Sequence, residues 1–425
     1  MKYYESPRWS GEILDCSMPM TFDTYDRCSY NCLYCFAYFQ KSHSIDKGCT
    51  SRKAGHDYQS NNLIKWVNPE RIKKLINLEK NNRAADEQFY TYIKNRKVIQ
   101  WGGLADQFDE YERKHNISLE LLKYFKEVDY PICFSTKGVW WLDDKRYTEL
   151  FRGQDNWNCK FSIINLDEKR AKAMELGCPS PSARINAIKK YTRLNNGGAT
   201  LRLRPFIIGF TDKNNEHLKL IEKCKRAGAT AVSTEFFCLE ARADDRLKKR
   251  YKKMSKIIGF DIYEFYKKYS FGSGYRRLTR AVKKKYIIEM DRLCKKIGMR
   301  FYVSDAHFKE YSHNGCCCGL DESWNYSRGQ LTEALIIAKK KGRVYFKDIQ
   351  PDIKKLHVYQ WEKASGFNTS SAKARARRLN QTMYDYIREN WNTPNNAKSP
   401  YKYFQGILFP AGLDKDKNVI YEYRG

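Results

Sequence analysis

The chain has 425 residues, of which 42% are hydrophobic, and its 79 basic and 49 acidic residues give a formal net charge of +30. This length supports one large catalytic domain with a smaller appended one and excludes a peptide-sized binder. No apolar run approaches 18 residues and no charged-then-apolar leader opens the sequence, so we expect neither a membrane span nor a secretory signal and predict a cytoplasmic protein. Fourteen cysteines in such a chain favour reduced thiols and metal ligands over disulfides.

From about residue 20 to about residue 310, short β-branched or aromatic runs alternate with longer amphipathic stretches, a rhythm typical of βα units. The predicted strands are 20–23, 98–101, 132–136, 159–164, 201–208, 231–236 and 300–304. The predicted helices are 69–80, 119–127, 182–194, 215–227 and 275–297. We therefore predict an α/β fold, a parallel barrel or partial barrel, whose functional residues lie at the carboxyl ends of the strands.

After about residue 320 the pattern changes. Helices are predicted at 326–341, opened by Ser327, and at 370–388, and short strands are predicted within 401–423. We predict two domains: a barrel domain over 1–315, and a cysteine-rich junction with a basic C-terminal α+β extension over 316–425.

The first candidate site is a cysteine triad, Cys28, Cys32 and Cys35, with three and then two intervening residues. A structural zinc site closes with four protein ligands, and a cubane iron–sulfur cluster usually takes four cysteines. Three closely spaced thiolates can bind one cluster and leave a metal position open for an exogenous ligand. The alternative is a zinc knuckle that takes its fourth ligand from Cys16, Cys49 or a histidine such as His43.

Further motifs follow at the predicted strand ends. They are Gly102-Gly103 in the run 101–108 with Glu112-Arg113 after it, Thr136-Lys137, Phe161-Ser162, Glu175 to Ser182 with Arg184, and Arg202 with Arg204. The glycine pair either lets the backbone approach a ligand or makes a tight turn. An ammonium at a strand end, here Lys137, suits a carboxylate. Glu175 orders a loop or contacts substrate, and Ser182 is the predicted N-cap of a helix beginning at Ala183.

The triad has aromatic Tyr34 beside its last cysteine, and the motifs above follow it in this order. Together they resemble the radical S-adenosylmethionine (SAM) superfamily over roughly residues 14–240. Within it they are similar to the spore photoproduct lyase and DNA-photolyase-like branch. The resemblance implies a partial (β/α)6-type barrel, a [4Fe-4S] cluster on Cys28, Cys32 and Cys35, and SAM that is cleaved to a 5′-deoxyadenosyl radical. It also implies a reducing partner such as flavodoxin or ferredoxin. The cofactor-binding residues that it implies are Tyr34, Gly102, Gly103, Lys137, Ser162, Arg202 and Arg204.

The sequence departs from this branch in its thiols. The lyase that repairs spore DNA is expected to carry a hydrogen-donor cysteine beside the glycine-rich loop, and residues 102–105 contain none, which puts direct thymine-dimer reversal in doubt. Cys316, Cys317 and Cys318 offer another source. We predict that one of them is the catalytic hydrogen donor, or that two join His307 or His313 in a second metal site. The alternative is that they are packed structural thiols.

Charge bears on the substrate. Basic runs at 246–253, 276–285 and 373–378 favour a polyanionic partner, because attraction to phosphates supplies most sequence-independent nucleic-acid affinity. The leading interpretation is a radical SAM enzyme that acts on DNA or RNA in repair or base modification. The alternatives are a radical SAM enzyme that modifies a peptide or protein side chain, and a non-catalytic metal-bound nucleic-acid-binding protein. The basic runs are also compatible with solvated helix faces.

Overall fold

The computed structural model describes residues 3–4, 7–9, 15–37, 64–80, 89–241, 243–272, 275–328, 331–349 and 383–425. Cys49, His43, the basic run 373–378 and most of the helix predicted at 370–388 lie outside the described residues.

The strands are numbered in chain order. They are β1 (Tyr3–Tyr4), β2 (Arg8–Trp9), β3 (Met20–Phe22), β4 (Trp66–Val67), β5 (Ile99–Trp101), β6 (Ile132–Thr136), β7 (Trp157–Ser162), β8 (Ala199–Phe206), β9 (Ala231–Phe236), β10 (Leu239–Glu240), β11 (Ser270–Phe271), β12 (Tyr275–Leu278), β13 (Arg300–Val303), β14 (Arg343–Val344), β15 (Leu408–Leu413) and β16 (Val419–Tyr423).

The α-helices of the described ranges follow the same convention. They are α1 (Pro69–Ile76), α2 (Tyr90–Lys94), α3 (Glu110–His115), α4 (Ile117–Glu127), α5 (Lys145–Phe151), α6 (Glu168–Met174), α7 (Pro181–Leu194), α8 (Glu216–Arg226), α9 (Asp245–Ile258), α10 (Ile262–Tyr269), α11 (Arg280–Lys296), α12 (Leu331–Lys341), α13 (Met383–Trp391) and α14 (Pro400–Tyr403). The 3-10 helices of the same ranges are Asn77–Lys80, Trp140–Asp143, Lys213–Asn215, Ala306–Tyr311 and Phe346–Ile349.

The main sheet has the strand order β13-β9-β8-β7-β6-β5-β3-β2. The strands β6 to β9 run parallel, with one register shift between Leu203 and Phe206 of β8, and β2 pairs antiparallel with β3 at one edge. From β3 to β9, strands that follow one another in this sheet are also neighbours in it. This is the winding of a barrel or part of one, whereas the strand order of a doubly wound sheet reverses at a switch point. The predicted α/β class with a parallel sheet is confirmed.

Three predicted elements need correction. Residues 275–278, predicted as the start of a helix, form β12, which pairs with both β10 and β11, and α11 begins at Arg280. The helix predicted from Ala183 begins at Pro181, and Ser180 rather than Ser182 caps it, because Pro181 suits the first helical position. Ser327 does not open α12; its N–H donates to the carbonyl of Ser17, and α12 is described from Leu331.

Contacts divide the chain into two compact units. The first comprises Met1–Ser6, Phe22–Pro69 and Trp101–Phe301, and the second comprises Pro7–Thr21, Glu70–Gln100 and Tyr302–Gly425. This division differs from the linear boundary after residue 315, which stays a prediction about folding domains.

The second unit contains the C-terminal α+β structure that the sequence predicts. The strands β14, β16 and β15 form an antiparallel sheet, on which Trp391 packs edge-to-face against Tyr421. A buried carboxylate, Asp15, forms an ion pair with Lys309 and accepts hydrogen bonds from Thr332 and from the hydroxyl of Tyr403 (2.8 Å). These contacts satisfy charges that would otherwise be costly to bury.

Candidate functional site

The parallel strands of the first unit have one apolar and one polar face. On β6 and β7, Phe134 and Phe161 pack against aromatic rings such as Tyr191 of α7, in the layer of helices. Side chains alternate along a strand, so Ser135, Lys160 and Ser162 lie on the opposite face. Polar groups on a buried strand face are costly unless they bond to something, so this face is the candidate site.

Three of the cofactor-binding residues that the sequence singled out lie in one row across this face. Thr136 pairs with Phe161, so the next residues, Lys137 and Ser162, are level with each other. Ser162 in turn pairs with Arg202, which pairs with Ser233. The row lies at or near the carboxyl ends of the strands, as the fold class predicts.

Arg204 lies two residues beyond Arg202 on β8, and therefore on the same face. Its guanidinium is 3.6 Å from the carboxylate of Glu235 on β9. This ion pair neutralises part of the positive charge of Arg204, which the sequence resemblance implies for cofactor binding.

The cysteine triad occupies the loop that follows β3. Cys32 is buried, and Cys28 and Cys35 are half-buried. The backbone of this loop bonds to the segment after α6: the N–H of Leu33 donates to Met174, the N–H of Gly177 donates to Tyr30, and Cys32 forms a bridge with Glu175. These bonds join segments about 140 residues apart, so the positions of the thiols are set by tertiary structure.

Arg250 of α9 holds the same loop from another side. Its guanidinium donates to the carbonyls of Cys32 and Leu33 and, at 2.7 Å, to Oδ1 of Asn31. The sequence places this residue in a basic run that we expect to bind a polyanion, whereas its guanidinium bonds to the cysteine loop. In the other predicted run, Lys283 is buried and lies over the ring of Phe236, so it does not present its charge to solvent.

A buried charge network adjoins the cysteine loop. Both oxygens of Glu175 are engaged, one by Arg184 of α7 and the other by the hydroxyl of Tyr34, and Lys137 Nζ lies 4.0 Å from Glu175 and 5.6 Å from the centre of the Tyr34 ring. Burial opposes ionisation of Glu175, but Arg184 and Lys137 hold its pKa below the usual range. Burial likewise lowers the pKa of Lys137, and the nearby Cys32 and Glu175 raise it overall. Both groups are therefore charged.

The backbone of Lys137 is fixed by Asp106, which lies in the loop after β5. The carboxylate accepts from the N–H of Lys137 (2.6 Å), the hydroxyl of Thr136 (2.7 Å) and the N–H of Phe108 (3.0 Å). Burial raises the pKa of Asp106, and these hydrogen bonds oppose the increase. Asp106 thus orients the lysine at the strand end.

A second thiol, Cys178, lies beside the triad. Its Sγ is 3.4 Å from Sγ of Cys32. The contact lowers the pKa of Cys32, while burial raises that of Cys178. Cys178 lies within the motif 175–182, and nothing local to that motif indicates a contact with residue 32.

The donor atoms distinguish a cluster from a single ion. Two thiolates on one tetrahedral zinc lie about 3.8 Å apart, as follows from Zn–S bonds of about 2.3 Å. Among the described residues, the side chains whose donor atoms all lie within 4.8 Å of one another are Cys32, Glu175 and Cys178, and not the triad. The three thiols of the triad are therefore not spaced as the ligands of one ion, and a polynuclear cluster on them stays a prediction.

The glycine pair has a clear structural requirement at its first member. Gly102 has a φ of +79°, and a Cβ there would lie 2.1 Å from Oε1 of Gln107. The amide of Gln107 and the hydroxyl of Ser135 are both buried, and among the described residues neither has a hydrogen-bond partner. Unpaired buried polar groups are rare and need an explanation, and a polar ligand supplies one. Gly103 is half-buried in the same loop, and its contact with the cofactor stays a prediction.

The cysteine triplet belongs to the second unit. Cys316 and Cys318 are buried and Cys317 is half-buried, with 4.0 Å between Sγ of Cys317 and Sγ of Cys318. The N–H of Cys316 donates to Asn314, and His313 lies 3.4 Å from Glu322. The catalytic or metal-binding role of the triplet stays a prediction.

A scan against protein-family models finds no match, and neither does a search of curated proteins. Among solved structures, the chain is similar to a mutant of spore photoproduct lyase, with 16% identity and a TM-score of 0.46 over 71% of this chain and 79% of that one. It is also similar to methylornithine synthase, with 12% identity and a TM-score of 0.35 over 67% of this chain and 70% of that one. Values this low leave the function to be inferred from the chain's own residues. None of the described helices is both long and apolar enough to cross a membrane.

Proposed function

We propose that the protein is a radical SAM enzyme. The observation that carries the proposal is the juxtaposition, in one compact unit, of a loop with three cysteines and the network of Glu175, Lys137 and Tyr34 at the strand ends. In this proposal Cys28, Cys32 and Cys35 hold a [4Fe-4S] cluster whose fourth iron is left for SAM. When bound, these cofactors supply the reductive cleavage that forms a 5′-deoxyadenosyl radical.

The protein's own groups then bind and orient SAM. Lys137 is charged and fixed by Asp106, which suits a contact with the methionyl carboxylate. Ser162 and Arg202, in the same row, offer a hydroxyl and a second cation. Gln107 and Ser135 carry unpaired polar atoms that a polar ligand would satisfy.

Tyr34, Gly102, Gly103 and Arg204 are proposed as further cofactor contacts. The hydroxyl of Tyr34 already donates to Glu175, which leaves its ring as the surface for a ligand. A small reducing protein such as a flavodoxin or ferredoxin is the proposed electron donor.

For the substrate we propose nucleic acid, modified or repaired at a base. The helix α9 supports this choice. It buries Leu247, Tyr251 and Met254 and exposes a basic face, on which Lys249, Lys252, Lys253 and Lys256 follow the spacing of a single helical stripe.

A short hairpin of the same unit adds an aromatic surface. Phe271 is 39% exposed on β11 and lies directly opposite the exposed Arg277 on β12. Aromatic rings stack on bases irrespective of sequence, and neighbouring cations bind the backbone phosphates. A base attacked at carbon would have to leave its stack or be single-stranded.

The first test is chemical. Protein reconstituted without oxygen is incubated with dithionite and SAM, and 5′-deoxyadenosine is measured alone and with DNA, RNA or peptide. We expect cleavage that Cys28→Ala, Cys32→Ala and Cys35→Ala each abolish, together with loss of iron, and that a nucleic acid accelerates. No cleavage by protein with a fully formed cluster would refute the proposed enzyme class. Acceleration by peptide alone would refute the nucleic-acid substrate.

The second test isolates the basic face with a charge-matched control. Replacing Lys249, Lys252 and Lys253 by Gln removes three positive charges from α9. Replacing Lys219, Lys223 and Arg226 by Gln removes three from the exposed face of α8. We expect only the first variant to weaken oligonucleotide binding and to reduce the slope of log K against log salt by about 2, at about 0.7 per phosphate contact on a single strand. Equal effects would mean that net charge, and not this face, governs binding.

A further inference from the structure

Cys178 is fixed against the cysteine loop by backbone as well as by packing. Its N–H donates to the carbonyl of Glu175, and the N–H of the preceding Gly177 donates to the carbonyl of Tyr30. The sulfur of Cys178 lies 3.4 Å from Sγ of Cys32. Backbone hydrogen bonds on both sides of Cys32 therefore hold the two segments side by side, and the side chains of Cys32 and Cys178 bring their sulfurs into contact across them.

This distance argues against Cys178 as a fourth cluster ligand. In a cubane, each ligand sulfur lies radially outside its own iron, so two such sulfurs are farther apart than the irons that they bind. Sulfurs in contact cannot bind separate irons unless at least one of them moves, by a change of rotamer or of backbone. A single ion shared by Cys32, Glu175 and Cys178 is also disfavoured, because Arg184 and Tyr34 already engage both oxygens of Glu175.

A hydrogen bond between the thiols is the arrangement that remains. Cys32, when it binds iron, is a thiolate and has no proton to donate. The direction is therefore fixed: the S–H of Cys178 donates to Sγ of Cys32.

We propose that Cys178 donates a hydrogen bond to the cluster ligand Cys32 and thereby raises the reduction potential of the cluster. Reduction adds negative charge that is shared with the ligand sulfurs, and a donor aimed at one of them stabilises the reduced state more than the oxidised state. The inference rests on the proposed function, since it needs the cluster on Cys32. Cys178 is a positioning residue, because it acts through Cys32.

The test is a redox titration of reconstituted protein followed by electron paramagnetic resonance, with iron counted in every sample. Cys178→Ala removes the donor, Cys178→Ser keeps an O–H donor at the same place, and Cys224→Ala removes a buried thiol of α8 as a matched control. We expect Cys178→Ala to lower the midpoint potential with its iron content unchanged. The midpoint potential of Cys178→Ser should return most of the way to that of the unmodified protein. The midpoint potential of Cys224→Ala should equal that of the unmodified protein.

Three results would overturn the inference: a Cys178→Ala potential equal to that of the unmodified protein, a Cys178→Ser potential as low as that of Cys178→Ala, or loss of iron from Cys178→Ala alone. The last would make Cys178 a ligand. The titration needs no SAM, so its outcome is separate from that of the cleavage assay. If the cluster forms but SAM is not cleaved, the proposed enzyme class is refuted, and the comparison of midpoint potentials still decides the role of Cys178. Unmodified protein that forms no cluster refutes both.

Discussion

The two faces of the parallel sheet differ in what they do with buried groups. On the helix-covered face, Phe134 contacts Trp101, Phe108, Trp141, Phe151 and Tyr191 in a continuous aromatic layer. On the other face, buried polar groups such as Gln107 and Ser135 have no partner among the described residues. The first face stabilises the fold, and the second carries groups that cost stability and are explained by a ligand. Four substitutions test this contrast.

The largest expected effect is on the apolar face. Phe134→Ala should lower the free energy of unfolding by about 4 kcal/mol, because it removes a fully buried ring and leaves a cavity among its aromatic neighbours. Urea unfolding measures the change. A loss below about 1 kcal/mol would mean that this layer repacks and does not determine stability.

The next effect falls where the polar network is fully paired. Arg184→Met should cost about 3 kcal/mol, because it leaves the buried carboxylate of Glu175 without its main partner. Lys137 at 4.0 Å compensates in part. The double variant Arg184→Met with Glu175→Gln removes the buried charge as well, and it should recover part of the lost stability. No recovery would mean that the methionine disrupts packing instead.

A third prediction concerns a titratable group within an aromatic environment. Burial, opposed by Asp212 and reinforced by Lys285, lowers the pKa of His217 from 6.5 to about 4. Between these pH values the unfolded chain binds a proton that the folded chain does not, so the free energy of unfolding falls as the pH is lowered through this window. The loss from this group should reach about 2 kcal/mol at pH 5 relative to pH 8.

His217→Leu should remove that part of the pH dependence. The ring nitrogens of His217 have no hydrogen-bond partner among the described residues, and the carboxylate of Glu289 lies 3.9 Å from Nε2. An apolar side chain there removes this long contact and no hydrogen bond. Unfolding curves at pH 5 and pH 8 provide the comparison. An unchanged difference between the two pH values would show that other groups account for it.

The smallest effect has the opposite sign. Gln107→Leu should raise the free energy of unfolding by about 1 kcal/mol, because it removes a buried amide that has no partner. The same variant should weaken SAM binding, measured by equilibrium dialysis on reconstituted protein. Destabilisation by this substitution would mean that the amide is bonded in the folded protein, and unchanged SAM binding would remove Gln107 from the site.

The sequence predicted the main strands well because their residues form buried runs bounded by turn residues. Residues 132–136 and 231–236 are strands to the residue. It failed at 275–278, where the strand depends on its partners β10 and β11. It also chose the wrong one of two serines as the cap of α7, although Pro181 between them is a local signal for Ser180.

For the site, the sequence by itself determined the groups whose positions follow from local spacing. The triad lies within one loop. Lys137 follows β6, Ser162 ends β7 and Arg202 lies within β8, and the parallel register brings the three level. Only the tertiary structure decided the contacts between distant segments. Cys178 and Cys32 are 146 residues apart, and Arg250 reaches the same loop from α9. Spacing and periodicity are local quantities, whereas the approach of two loops depends on the packing of every element between them.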